Sequence, residues 1–196
     1  MVKKIVLPIK DSNVLSQVED TLLNNFRAGR RNYTIFQVGK ATLLRVSDVL
    51  SLYYHDIFDD EGNVHKNAYI HDQKTGKPNT LYLRPVEQDL LIYRQWLQKH
   101  NLVGKWLFPS TQRPQQHINQ RQYYQIMSRV GDLLGINYLG THTMRKTGAY
   151  RVYEQTNHNI AVVMKLLNHS SEKMTLAYLG LDQDSTENIL DHIDFG

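Results

Sequence analysis

The stretch Thr141-His142-Thr143-Met144-Arg145-Lys146-Thr147-Gly148-Ala149-Tyr150 decides how the rest of this chain is read. Thr141 suits a helix N-cap, no helix breaker follows before Gly148, and good helix formers come after it, so a helix is expected from His142 to about Gln155. His142 and Arg145 then stand three residues apart on one helical face. A proton-transfer group and a permanently charged planar fork would project from the first turn, where the helix's own N–H groups and dipole also favour an anion. That combination suits a phosphate. An isolated His-x-x-Arg also recurs by chance, with the histidine half-buried and structural and the arginine solvated beside it, so the surrounding chain has to decide.

The 196 residues are 41% hydrophobic, enough for one domain with its own core. Lys and Arg number 23 against 19 Asp and Glu, a net charge of +4 that permits an anionic partner without demanding one. There is no cysteine, which excludes disulfides and thiolate metal sites. The opening run through Val6 and Leu7 is too short and interrupted for a signal peptide, and no later run approaches a membrane span, so a cytoplasmic protein is expected.

Residues 1–10 read as an extended arm containing Pro8. From 11 to 27, Val14, Leu15, Val18, Leu22 and Phe26 recur at helical spacing behind the caps Asp11 and Ser12. Gly29-Arg30-Arg31-Asn32-Tyr33 reads as a break, with a second helix over 34–41. Arg45 follows at a junction between apolar segments, where a buried cation needs a negative partner: Asp48, three residues on, or a ligand phosphate. Runs at 65–71 and 79–84, joined by Asp72-Gln73-Lys74-Thr75-Gly76-Lys77-Pro78, predict a β-hairpin with Lys74 and Lys77 at its tip. Lysines in such turns are commonly just solvated. Helices are expected over 86–99 and 122–134, separated by a polar loop at 111–120. A short apolar helix at 160–167 ends near Asn168, and Ser170 or Ser171 can cap another, so a turn would let His169 and Tyr178 converge; in one unbroken helix they would face opposite ways. Beyond Tyr178, Asp184 or Ser185 can cap a terminal helix striped with Ile189, Leu190 and Ile193. The sum is a mainly α domain bearing a small antiparallel β-sheet.

Arg45, the Lys74 turn, the His142/Arg145 pair, His169 and Tyr178 stand in one order along the chain. This resembles the catalytic domain of the tyrosine recombinases, the phage integrase family, whose signature is Arg, Lys, His-x-x-Arg, His or Trp, and a nucleophilic Tyr. The flanks agree as well: LLRVSDVLSL around Arg45, QKTGK around Lys74, HTMRKTGAYR after Thr141, and LLNHSSEKMTLAYLG ending past Tyr178. There are departures. Leu43 stands where many members have Gly, Asp48 replaces the usual Glu, and Asn168 replaces the usual Gly before the second histidine. The resemblance implies a catalytic domain over 11–180, followed at 181–196 by a tail with a short helix of the kind that docks on a neighbouring subunit. It leaves no room for the separate amino-terminal DNA-grasping domain that members commonly carry.

The resemblance also implies a reaction. Breaking a phosphodiester needs a nucleophile, stabilisation of charge on the phosphate oxygens, and a proton for the departing oxygen. Tyr178 would attack and conserve the bond as a 3′-phosphotyrosine. Arg45 and Arg145 would clamp the phosphate through charge-assisted hydrogen bonds, doing the work of a metal ion, so neither metal nor cofactor is expected. Lys74 would be the general acid for the 5′ oxygen, His142 the proton acceptor for Tyr178, and His169 a further donor. The implied partner is double-stranded DNA, with self-association into a tetramer on it and accessory DNA-bending proteins.

Three rival readings have distinct signatures. A type IB topoisomerase-like swivel would relax plasmid without recombinants, and an idle DNA-binding or regulatory module would lack the active groups. A metal site built from the nine histidines would need ligand spacing that His65 and His71, on one strand face, do not supply by themselves.

Overall fold

Asp11 starts the helical body: its carboxylate accepts from the N–H groups of Asn13 and Val14 at 2.8 and 2.9 Å, capping α1 (Ser12–Asn24). The computed structural model describes residues 5–74 and 76–181. Helix α2 runs over Gly29–Thr42, five residues earlier than its sequence suggests. Gly29 sits there for space and does not interrupt the helix, because a Cβ would collide with the carbonyl of Leu23 where α1 hands over to α2. Two of the residues that looked like a break, Arg31 and Asn32, are buried and paired. Arg31 donates to Pro109 O at 3.0 Å and to Asn32 Oδ1 at 3.1 Å.

Short helices α3 (Val46–Leu50) and α4 (Tyr54–Ile57) lead to a two-stranded antiparallel sheet, β1 (Asn67–His71) and β2 (Pro78–Tyr82). Ala68 pairs with Leu81 and both are buried, while Tyr69 and Tyr82 stand on the exposed face, the alternation of a sheet covered on one side. The hairpin is thus as expected, with shorter strands; His65 lies before β1 and does not share a strand face with His71. Helix α5 (Glu87–Lys99) follows. Helix α6 (Gln120–Leu134) begins two residues earlier than expected, because Asn119 and Gln122 form a reciprocal capping box. Helices α7 (Thr143–Gln155), α8 (Ile160–Leu167) and α9 (Glu172–Leu179) complete the described chain. Asp184, Ser185, Ile189, Leu190 and Ile193 lie outside the described residues. No described helix is long and apolar enough to cross a membrane.

Two hydrophobic clusters result. The larger gathers Ile35, Phe36 and Val38 of α2 with Leu90 and Tyr93 of α5 and Tyr123 and Met127 of α6. The smaller, Leu43, Ala149, Val163, Leu167 and Leu179, lies beneath α7, α8 and α9. The helix carrying Tyr178 is therefore seated on the lesser core.

Gly148 brings α7 against α2. A Cβ there would overlap the carbonyl oxygen of Lys40 and reach within 2.7 Å of Leu43 Cδ2. In an open helix Gly→Ala would stabilise by about 1 kcal/mol, but here the obstacle is backbone, so the overpacking term wins. Gly148→Ala is expected to lower unfolding stability by about 2 kcal/mol in a denaturant titration; an unchanged midpoint would show that the two helices are free to part.

Candidate active site

Arg45 is the N-cap residue of α3, with extended backbone (φ −68°, ψ 154°), and its Nη1 donates to Asp72 Oδ2 at 3.2 Å. Its carboxylate partner is thus Asp72, in the hairpin turn, and not the nearer Asp48. Asp48 is 2% exposed and accepts from the backbone N–H of Gln73 at 2.9 Å, leaving Oδ2 without a hydrogen bond. Burial raises the Asp48 pKa, against the pull of that bond and of Arg45 and Arg145. Both carboxylates therefore tie α3 to the hairpin. Arg45, Asp48, Asp72, Asn79, Arg145 and Asn168 line one cleft.

Helix α7 begins one residue later than its sequence suggests. His142 is the N-cap (φ −91°, ψ −5°), and Thr141 does not cap: Thr143 Oγ1 accepts from Gly140 N–H at 2.8 Å instead. His142 and Arg145 still point from the first turn. Arg145 is 6% exposed; its Nη2 donates to Leu167 O at 3.2 Å, while buried Nε has no hydrogen-bond partner. Burial depresses its pKa, an indication that the fold holds this cation at a cost.

Two left-handed turns aim the remaining groups. Leu43 (φ 55°) ends α2 and Asn168 (φ 56°) ends α8, both in the left-handed conformation that favours glycine. Asn tolerates this conformation, whereas Leu pays about 1 kcal/mol for it; Leu43 offsets the strain by burying its side chain in the smaller core. The turn at Asn168 sends the chain back. His169 and Tyr178 meet edge to face, with ring centroids 5.3 Å apart and an interplanar angle of 82°. Thr175, fully buried on α9, places its Oγ1 3.0 Å from His169 Nδ1 and orients the ring.

Around the Tyr178 ring stand Lys146 Nζ at 4.9 Å and the Arg145 guanidinium at 6.0 Å. The Tyr178 hydroxyl is buried with no hydrogen-bond partner. Burial pushes its pKa up to about 12, although Arg145 and Arg45 both pull it down. The imidazoles shift the other way. Desolvation lowers the pKa of His142, reinforced by Arg145, Lys146 and Arg45, and desolvation with Arg145 and Arg45 lowers that of His169. Near neutral pH the phenol keeps its proton while a neutral imidazole, able to accept one, stands in the same cationic field.

Five of the six expected groups, Arg45, His142, Arg145, His169 and Tyr178, thus share one electrostatic neighbourhood. Lys74 is exposed on the hairpin turn, two residues past Asp72. Asp72, Lys146 and Thr175 were not among the expected groups. Lys146 had a signal, its place beside Arg145, and Thr175 lies six residues after His169; nothing local marks Asp72 as the partner of an arginine 27 positions away. Among the described residues, no three His, Asp or Glu side chains gather as metal ligands would.

Residues 12–185 match the Phage integrase family. The chain is 32% identical to the "Probable integrase/recombinase YoeC" of Bacillus subtilis, covering 93% of each protein. Among solved structures, XerH site-specific recombinase bound to palindromic difH substrate superposes with a TM-score of 0.66 at 20% identity, over 96% of this chain and 53% of that one. A lambda integrase fragment bound as a dimer to a COC′ core site gives 0.66 at 16% identity, over 99% and 65%. The chain spans about half to two thirds of those structural relatives, and the likeness to them is one of fold. By family match and by fold, this chain belongs to the phage integrase family, as a tyrosine site-specific recombinase catalytic domain.

Proposed function

We propose that this chain cleaves and rejoins DNA strands through a 3′-phosphotyrosine on Tyr178, with no metal in the reaction. The observation that carries the reading is one buried, hydrogen-bond-free phenol with His169, Arg145 and Lys146 around its ring, in a cationic field that Arg45 shares and that His142 also feels. Such a phenol is costly unless a ligand completes its surroundings. In the reaction, Tyr178 Oη attacks the scissile phosphorus and forms the new P–O bond while the bond to the 5′ oxygen breaks. His142 takes the phenol proton. Arg45 and Arg145 hold the non-bridging oxygens, Arg45 exchanging Asp72 for phosphate, and His169 donates a further hydrogen bond. Lys74 is the acid for the 5′ oxygen, which requires the hairpin turn to approach the bound DNA. Religation is the reverse attack by a 5′ hydroxyl.

The substrate is double-stranded DNA. Lambda integrase forms a tetramer on a Holliday junction, and the same assembly is proposed here, with residues 181–196 as the docking tail, residues 11–180 as the catalytic domain and DNA-bending proteins as accessories. The activity would lie in the cytoplasm, with the DNA.

The test is covalent capture: a pool of nicked duplexes with a randomised core is incubated with the protein in EDTA, then run on a denaturing gel. A protein–DNA adduct that survives SDS is expected; its absence across a fully sampled pool would sink the reading. The pH profile checks the base. Because the His142 pKa is lowered from 6.5, the unfolded chain binds its proton first. Cleavage rate should hold steady down through pH 6.5 and fall only below it, at the depressed folded pKa. Folding stability contributed by His142 and His169 is present above pH 6.5 and is lost as pH drops through their folded values. A rate that halves at or above pH 7 would remove His142 from the role of proton acceptor.

A further inference from the structure

Residues 6–10 precede the first helix, yet they are held firmly. Pro8 and Ile9 are buried, and Ile9 N–H donates to Thr147 Oγ1 at 3.0 Å, a buried bond two residues past Arg145 on α7. Leu7 N–H reaches Tyr138 O at 3.4 Å, and the Val6 side chain covers Gly140, so the arm also lies along the loop that delivers His142. At its other end, Lys10 Nζ donates to Gly180 O at 3.0 Å and stands 5.5 Å from the Tyr150 ring. Gly180 is the C-cap of α9, two residues past Tyr178, and a Cβ there would meet Leu7 Cδ2 at 3.5 Å and Pro8 Cδ at 3.7 Å.

We infer that this arm is a clip that positions the nucleophile, with Lys10 as its positioning residue; the inference rests on Tyr178 being the nucleophile. Helix α9 has eight residues, of which Thr175 and Leu179 are buried and only Leu179, with partly buried Tyr178, packs on the smaller core, so its own packing anchors it weakly. An ammonium on its terminal carbonyl satisfies an orphan acceptor and complements the negative end of the helix dipole. Tyr150 holds that ammonium in place from α7, the helix that carries Arg145. The arm therefore spans the base of the site, bonded to α7 beside the phosphate clamp and to α9 beside the phenol. Lys10 bonds to the end of α9 and acts through where that helix sits.

The experiment compares the full chain with Lys10→Met, Lys10→Arg and Tyr178→Phe. In hydrogen exchange followed by mass spectrometry, Lys10→Met is expected to speed exchange of peptides over 172–181 by about five-fold, with peptides from α1 and α6 unchanged; Lys10→Arg, which keeps charge and reach, restores protection. In the covalent capture assay the same Lys10→Met variant should slow adduct formation by a similar factor without changing half-saturation by DNA. Unchanged exchange in α9, or an equal rise throughout the protein, would overturn the clip. An adduct that persists in Tyr178→Phe would instead remove the nucleophile assignment, while the exchange data still decide whether the arm holds α9.

Discussion

Replacing Tyr178 by Phe is expected to lower adduct formation by at least about a thousand-fold, because the oxygen that forms the new bond to phosphorus in the proposed reaction is removed. The same change should leave the protein as stable as before, or more so by about 1 kcal/mol. The reason is the unpartnered hydroxyl: its desolvation is suffered in the folded state with no hydrogen bond in return. Phe keeps the ring that packs edge to face with His169. Loss of chemistry together with a raised melting temperature marks a group kept for function. A Phe variant that melts several degrees lower would mean that the hydroxyl has a structural partner and that the phenol is part of the core.

The second large effect concerns Arg145. Arg145→Lys keeps a charge but loses the planar fork, and is expected to slow cleavage by about 10²- to 10³-fold, the usual cost of removing a preorganised donor from developing charge. Arg145→Met should cost at least as much in rate. It should also push the Tyr178 pKa further up, since the first of the two cations opposing its rise would be gone. Titrating tyrosinate absorbance in Arg145→Met against the parent measures that shift. In the absence of DNA, Met at this position should raise stability, because a buried guanidinium with an unpartnered Nε is exchanged for a side chain that needs no solvation. If Arg145→Met both folds poorly and leaves the phenol titration unmoved, the arginine serves the turn at Leu167 and not the phosphate.

Both expectations share one cause. The site is assembled as a cationic, partly desolvated pocket before substrate arrives, and Asp72 already occupies Arg45. Bringing a phosphate there relieves two costs at once, the excess of positive charge and the orphaned polar atoms.

Much of this was legible without coordinates. Apolar spacing and caps act over three or four residues, so the Asp11 cap, α5, α7, α8 and the hairpin follow from local chemistry, and the order from Arg45 to Tyr178 names the family. Other features depend on which segments meet. Gly29 reads locally as a helix breaker, but the carbonyl of Leu23 beside it makes glycine the residue that fits inside α2. Asp48 is the nearest carboxylate to Arg45 in the chain, yet the hairpin's Gln73 claims it and Asp72 takes the arginine. An arm that reads locally only as extended chain is bonded to Thr147 and Gly180, more than a hundred residues away. The sequence by itself determined which ionisable side chains stand in the family's order and roughly where most helices lie, because those are short-range matters of period and capping. Only the tertiary structure decided which charges pair, how deeply the phenol is buried and what holds its helix, because burial and pairing are properties of surfaces that the chain brings together from far apart.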